Sequence, residues 1–280
     1  MKEQTPPPWW KTARTLSLLL SAAWRQGSRW YFDRARKAIQ AKGLEGAREA
    51  LTGTDTLGYV MGRLVTKKPL TLLLLMLREG APYWAARVAL AKAGQKAEGS
   101  QKDDHQDRIA HAVTRQIQQF AMAHPDRILQ PEIERQLQYL ADSNLTTMAD
   151  VSDVLDRLEA LSNQDTYWDR LSDVQVARAW HAQGVLMGRD GGITRAAISG
   201  PDDEKTCAVC KRMIGLEFDV PAMADKIEAD LGLEDLDDYI DAWTFPRAGD
   251  VDNISREALA AQMRFPPYHP HCRHSVALLY

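Results

Sequence analysis

The residues best suited to chemistry in this chain are its three cysteines and a group of histidines near its end. Cys207 and Cys210 are separated by two residues, and a second cluster downstream offers His269, Cys272 and His274, with His271 beside them. Two thiolates at that spacing fit adjacent corners of a tetrahedral metal site. A second ligand pair from a distant segment completes such a site and staples the two segments together. Thiolate with imidazole favours Zn²⁺ over Mg²⁺ or Ca²⁺, and three cysteines are too few for an ordinary iron–sulfur cluster. They also cannot close a disulfide framework, so cysteine usage favours a reducing compartment. A thioredoxin-like redox pair is the competing reading of Cys207 and Cys210, but no βαβ pattern surrounds them. The candidates suffice to close a metal shell, and neither H-E-x-x-H nor an H-x-E ahead of the C-x-x-C occurs. The expected cofactor is therefore structural zinc, in a protein that is not an enzyme.

The elements that must position these groups divide the chain into three regions. Residues 191–280 hold the candidate metal domain. Ile193–Ser199 reads as a short strand, Gly200-Pro201-Asp202-Asp203 as a turn, and Ser255–Met263 as a short helix. An acidic helical insert runs over about 221–241, and residues 202–241 hold 13 acidic against 4 basic residues. Residues 100–190 are expected to form a helical bundle. Ile109, Val113 and Ile117 recur every four residues, Pro125 should end that helix, and Pro131 should open another carrying Ile133, Leu137 and Leu140. Met148, Val151, Leu155 and Leu158 form a third stripe. Leu171, Val174, Ala177 and Trp180 form a fourth, broken by Gly184, Gly188 and Gly191-Gly192. The polar stretch Gly94–Gln106 reads as a linker. The fold class expected is mainly α, with a small zinc-stapled α+β domain at the C-terminus.

Residues 1–99 carry five of the eight tryptophans and helices expected at about 12–40 and 69–93, with Gly53–Gly62 as a loop. The formal net charge of −3 hides a division: residues 1–99 balance to +10 (17 basic, 7 acidic) and residues 100–280 to −13 (18 basic, 31 acidic). Arg25, Arg29, Arg34, Arg36 and Lys37 surround Trp24, Trp30, Tyr31 and Phe32 at helical spacing. Three roles suit that pattern: phosphate attraction with base stacking on nucleic acid, an amphipathic membrane-active or protein-docking segment, or an ordinary helical surface over buried tryptophans. The apolar run Leu70–Leu77 falls short of the about 20 residues that span a bilayer. Leu16–Trp24 lacks the charged leader of a signal peptide, so a soluble protein is expected.

Asp203-Glu204-Lys205-Thr206-Cys207-x-x-Cys210, then Gly215, then Pro266-Pro267-x-His269-Pro270-x-Cys272-Arg273-His274 resembles the C-terminal domain of phage head morphogenesis proteins, the minor head proteins of the phage Mu F-like type. The resemblance covers about residues 170–280. The family pattern closes on a cysteine where this chain has His274, a change that keeps a metal-ligating side chain. The resemblance implies a structural virion component, in multiple copies at the portal vertex or capsid interior and in the host cytoplasm during assembly. It also implies the portal protein or major capsid protein as partners, with packaged or ejected DNA as a contact through residues 1–99. The competing class is a bacterial or phage effector, a toxin or nuclease, carrying this zinc domain as an accessory. Arg273 is open to two roles, contacting a partner or supporting the metal ligands.

Overall fold

A computed structural model describes residues 9–51, 71, 73–74, 76–77, 99–145, 147–163, 166–243, 248–262 and 264–279. Helix α1 spans Trp10–Leu51, α2 Gly99–His124, α3 Gln130–Asp142, α4 Met148–Ser162 and α5 Thr166–Asp190. The C-terminal part runs β1 (Arg195–Ser199), α6 (Ala208–Met213), β2 (Glu217–Asp219), α7 (Val220–Leu231), α8 (Leu236–Trp243), α9 (Ala248–Val251), α10 (Arg256–Ala261) and β3 (Ser275–Leu279). The three strands form one antiparallel sheet in the order β2-β1-β3, with Ser199 opposite Ser275 and Arg195 opposite Leu279. The protein is thus mainly α with a small α+β C-terminal part, as its sequence pattern predicts. No helix among the described residues is long and apolar enough to cross a membrane.

Local sequence explains most of these boundaries. The Thr147 hydroxyl accepts the Asp150 amide and the Asp150 carboxylate accepts the Thr147 amide, a capping box that starts α4. Asp219 caps α7 ahead of Pro221, and Ser255 caps α10 by accepting the Ala258 amide at 3.1 Å. α1 extends well past residue 40 and kinks at Gly43, whose positive φ of 60° suits only a residue without a β carbon.

Several expectations are corrected. Of the stretch Gly94–Gln106, residues 94–98 lie outside the described residues, and the remainder is not irregular, because α2 begins at Gly99. Its inward positions are polar: His105 Nε2 lies 2.6 Å from Asp190 Oδ2, and the Gln106 side-chain amide donates to the Leu77 carbonyl at 3.0 Å. A buried polar pair leaves no apolar period to read. Pro125 widens its helix instead of ending it. Residues Pro125–Leu129 form a π-helical turn in which the Gln130 amide reaches back to the Pro125 carbonyl, and α3 follows directly. Gly184 and Gly188 lie inside α5, and the Leu278 side chain packs where a Gly188 β carbon would stand. Val151, Leu155 and Leu158 of the third stripe are buried, but Met148 is 56% exposed at the first turn of α4. The helix expected at 12–40 lies within α1. Of that expected at 69–93, Thr71, Leu73, Leu74, Met76 and Leu77 are helical, and the rest falls outside the described residues with the loop Gly53–Gly62.

The chain divides into two compact units that interleave in sequence. One comprises Met1–Leu16, Leu70–Arg115 and Arg170–Tyr280, the other Ser17–Pro69 and Gln116–Asp169. In the second unit an aromatic core gathers Trp24, Trp168 and His124: the His124 ring stacks on Tyr167 at 4.0 Å and meets Trp24 edge-on at 4.6 Å. In the first, Ala196, Ile198, Met213, Phe218, Met223, Ile227 and Leu259 bury the inner side of the sheet and its helices. That packed platform carries the cysteine–histidine segments.

Candidate metal centre

The two predicted ligand segments meet because strand pairing brings them together. β1 leaves the sheet at Ser199 into Gly200–Thr206, and β3 begins at Ser275 immediately after His274. The register that sets Ser199 opposite Ser275 therefore puts Gly200 beside His274. An added Gly200 β carbon would stand 2.4 Å from His274 Cδ2, a separation only a hydrogen can occupy.

Cys207 and Cys210 belong to the start of α6. Cys207 is its N-cap, and its Sγ accepts the Cys210 amide at 3.4 Å, so the C-x-x-C spacing and the helix start are one structure. The other end of α6 is held by Arg256, which donates to the Arg212 carbonyl at 3.1 Å and the Ile214 carbonyl at 3.0 Å. The second segment turns tightly, with the Cys272 amide donating to the His269 carbonyl at 3.2 Å.

The five candidate ligands converge. Cys207, Cys210 and His269 offer ligand atoms mutually within 4.8 Å, and so do Cys210, Cys272 and His274. Cys210 is common to both groups. Its Sγ lies 3.1 Å from His269 Nε2 and 3.7 Å from Cys272 Sγ, and Cys272 Sγ lies 3.9 Å from His274 Nδ1. Metal–sulfur bonds of about 2.3 Å give a tetrahedral edge of roughly 3.8 Å, which the sulfur–sulfur separation matches. Cys210, Cys272 and His274 are buried, His269 is half-buried and Cys207 is exposed. His274 Nε2 is buried without a hydrogen-bond partner among the described residues. These residues could bind a metal ion. His271, the further candidate, turns outward with a 69% exposed side chain and lies in neither group.

Hydrogen bonds around the ligands set their orientation and charge. His269 Nδ1 lies 2.7 Å from the Pro270 carbonyl, which only accepts, so Nδ1 carries the proton and Nε2 presents its lone pair toward Cys210. The hydrogen bond shared between Cys210 and Cys272, with help from His274 and from backbone bonds at Tyr268 and His274, holds Cys272 far below the ordinary thiol range. Cys210 is pushed up in turn by that same bond, by burial and by the neighbouring sulfur charges. Burial, then the thiolate charges, raise Tyr268 well above the usual tyrosine range.

Arg273 bridges the two segments. Its guanidinium binds Asp203 through both nitrogens, at 2.8 Å and 2.5 Å, and reaches the Thr206 hydroxyl at 3.3 Å. Asp203 in turn accepts the Lys205 amide at 3.0 Å, and Thr206 donates to the Pro201 carbonyl at 2.8 Å. The Arg273 bond holds the Asp203 carboxyl far below the usual carboxylate range. The acidic residue ahead of the C-x-x-C and the arginine ahead of His274 are thus the two halves of a bidentate clamp across the ligand segments.

One further residue had no sequence signal, and His181, which its place beside Trp180 marks as packing or surface rather than catalytic, is a packing residue. Asp173 on α5, buried and with its pKa raised by burial, accepts the His271 amide and so ties the histidine segment to that helix. His181 on the same helix packs edge-on against Trp9 at 5.1 Å, with burial pushing its pKa down to about 4. Among the predicted basic residues, Arg25, Arg29, Arg34 and Lys37 lie exposed on α1. Arg36 is half-buried between Asp156 at 2.7 Å and Glu159 at 2.5 Å. Trp24 is buried, Trp30 is exposed, and Trp84 lies outside the described residues. Comparison with protein-family models, with curated proteins and with solved structures finds no match.

Proposed function

We propose that the cysteine–histidine cluster holds one structural Zn²⁺, and that the chain is a minor head protein of a phage, assembled at the portal vertex or capsid interior in multiple copies. The observation that carries the metal reading is the convergence of Cys207, Cys210, His269, Cys272 and His274, from two segments, around the shared Cys210 sulfur. Thiolates and imidazoles are the donor set zinc prefers, and four of the five close a tetrahedral shell with no position left for a reacting water. A structural ion then adds its binding free energy to folding and staples the turn after β1 to the segment ahead of β3. The role in the head rests on the motif that runs from Asp203 to His274. Its non-ligand members Asp203 and Arg273 are bonded to each other, which supports reading the two half-motifs as one unit.

Native mass spectrometry tests the metal: one zinc per chain is expected, lost in Cys207→Ser, and a folded protein that takes up no zinc when zinc is supplied refutes the site. Affinity isolation from infected cells tests the role. Recovery of portal and capsid proteins supports it, and recovery of neither, with the protein abundant, overturns it.

A further inference from the structure

The three sulfurs of the metal centre differ in how far solvent reaches them. Cys207 is exposed, whereas Cys210 and Cys272 are 1% and 2% exposed. All three lie close together. Cys207 Sγ is within 4.8 Å of Cys210 Sγ, which is 3.7 Å from Cys272 Sγ. A bound metal keeps its sulfurs as thiolates, the form that oxidants attack. An oxidant arriving from solvent therefore meets Cys207 first, with Cys210 one turn away on the same segment. The bond from the Cys210 amide to Cys207 Sγ already folds that pair together. Closing it to the about 2.05 Å of a disulfide asks no movement of the histidine segment.

We propose that the centre is a redox switch, in which peroxide oxidises Cys207 and Cys210 to a disulfide and the zinc is released. This rests on the metal reading above. In the first step the Cys207 thiolate attacks one peroxide oxygen: an S–O bond forms, the O–O bond breaks and hydroxide leaves. In the second the Cys210 thiolate attacks the Cys207 sulfenic acid: the S–S bond forms and a second hydroxide leaves. Two electrons pass from the two sulfurs to the peroxide, and buffer protons neutralise both hydroxides. His269, Cys272 and His274 then remain, one donor short of a tetrahedral shell, so zinc is held far more weakly. The new link lies within one segment and does not replace the staple between the turn after β1 and the segment ahead of β3. Joining those segments falls to contacts such as the clamp of Arg273 on Asp203. A link between Cys210 and Cys272 would do the opposite and keep them stapled. Zinc is thus kept where thiols stay reduced and lost where peroxide reaches the chain.

The test treats the zinc-loaded full chain with hydrogen peroxide beside a chromophoric zinc chelator. One zinc per chain should be released, and two of the three thiols should become inert to alkylation in denaturant. Trypsin should then give the peptide Thr206–Lys211 lighter by two hydrogens. Cys272→Ser should form the same link, and dithiothreitol should restore the thiols and zinc binding in the wild type. Zinc retained under excess peroxide overturns the proposal, whether or not thiols are lost. So does a link between Cys210 and Cys272, or a Cys207 carried to sulfinic acid with no link. A chain that takes up no zinc when zinc is supplied fails before peroxide is added; that refutes the metal reading and this inference with it. A chain that takes zinc up and keeps it under peroxide refutes this inference alone.

Discussion

Replacing Gly200 by alanine probes the metal site through geometry alone. Gly200 does not sit at positive φ, so alanine strains no backbone there, and the whole effect comes from one methyl group. That methyl would stand 2.4 Å from His274 Cδ2, against a carbon–carbon contact of about 3.5 Å, so the ring must retreat by roughly 1.1 Å. Metal–ligand distances tolerate only about 0.2 Å. The ring has nowhere close to go, since His274 is 2% exposed and its Nδ1 already faces Cys272 Sγ at 3.9 Å. Gly200→Ala should therefore remove His274 from the ligand set. Zinc affinity should fall by at least the 10- to 100-fold that weaker disturbances around a ligand cost. Competition against a chromophoric chelator measures the affinity, and the absorption bands of the Co²⁺-substituted protein count sulfur and nitrogen donors. His274→Ala should give the same loss, and the double variant no further loss. If Gly200→Ala binds zinc as tightly as the wild type with an unchanged Co²⁺ spectrum, His274 is not a ligand and the reasoning fails.

Two other outcomes follow from named contacts. Asp203→Asn breaks the bidentate clamp on Arg273 and should lower zinc affinity by about 10- to 100-fold, as removal of outer hydrogen-bond partners does, while Co²⁺ spectra keep the same donor count; unchanged affinity would make the clamp a surface pair without consequence. His124 is held down to about 4 by burial among Trp24, Tyr167 and Trp168, so the unfolded chain binds its proton first as pH falls. Stability is complete above the unfolded value near 6.5 and is lost as pH falls toward 4, about 2 kcal/mol of it between pH 7 and pH 5. His124→Phe keeps the aromatic packing and should show that much less acid sensitivity in urea titrations followed by tryptophan fluorescence; equal sensitivity in both proteins would refute the assignment.

How much of this was legible in the sequence depends on how far apart the partners lie. The fold class followed from apolar periodicity, because Ile109, Ile133, Val151 and Ala177 each belong to a stripe along one face of their own helix and are buried there. The ligands were legible by type, since cysteine and histidine at short spacing have few other uses. Boundaries set by polar burial were hidden: His105 and Gln106 look like linker residues until Asp190 and the Leu77 carbonyl are placed beside them. Pro125 reads as a stop because a missing amide usually ends a helix, and only the i to i−5 bond of a π turn carries the chain past it. Asp203 and Arg273 were both quoted in the motif, but their bond joins positions 70 residues apart and no local pattern announces it. Asp173 gave no signal at all, since a single carboxylate in a helix carries none.

The contacts around the cluster decide what the metal contributes. Three of the five candidate ligands are positioned by contacts that do not involve the metal: Cys207 by the Cys210 amide, His269 by the Pro270 carbonyl, and His274 by its close fit on Gly200. The two segments are joined by Arg273 to Asp203, and the histidine segment is tied to α5 by Asp173. The sheet and α6 beneath them bury Ala196, Ile198, Met213 and Phe218 through apolar packing. A classical zinc finger lacks such a platform and unfolds without its metal. Chelation should therefore leave the far-ultraviolet circular dichroism at 25 °C nearly unchanged, while the thermal midpoint drops and amide exchange quickens in Ser275–Leu279 and Ala208–Met213. Re-added zinc should restore both within the mixing time of the experiment, because the donors already stand near their final places. Collapse of the dichroism on chelation would mean that the metal organises the segments, and that the hydrogen bonds around Asp203 and His269 are its consequence.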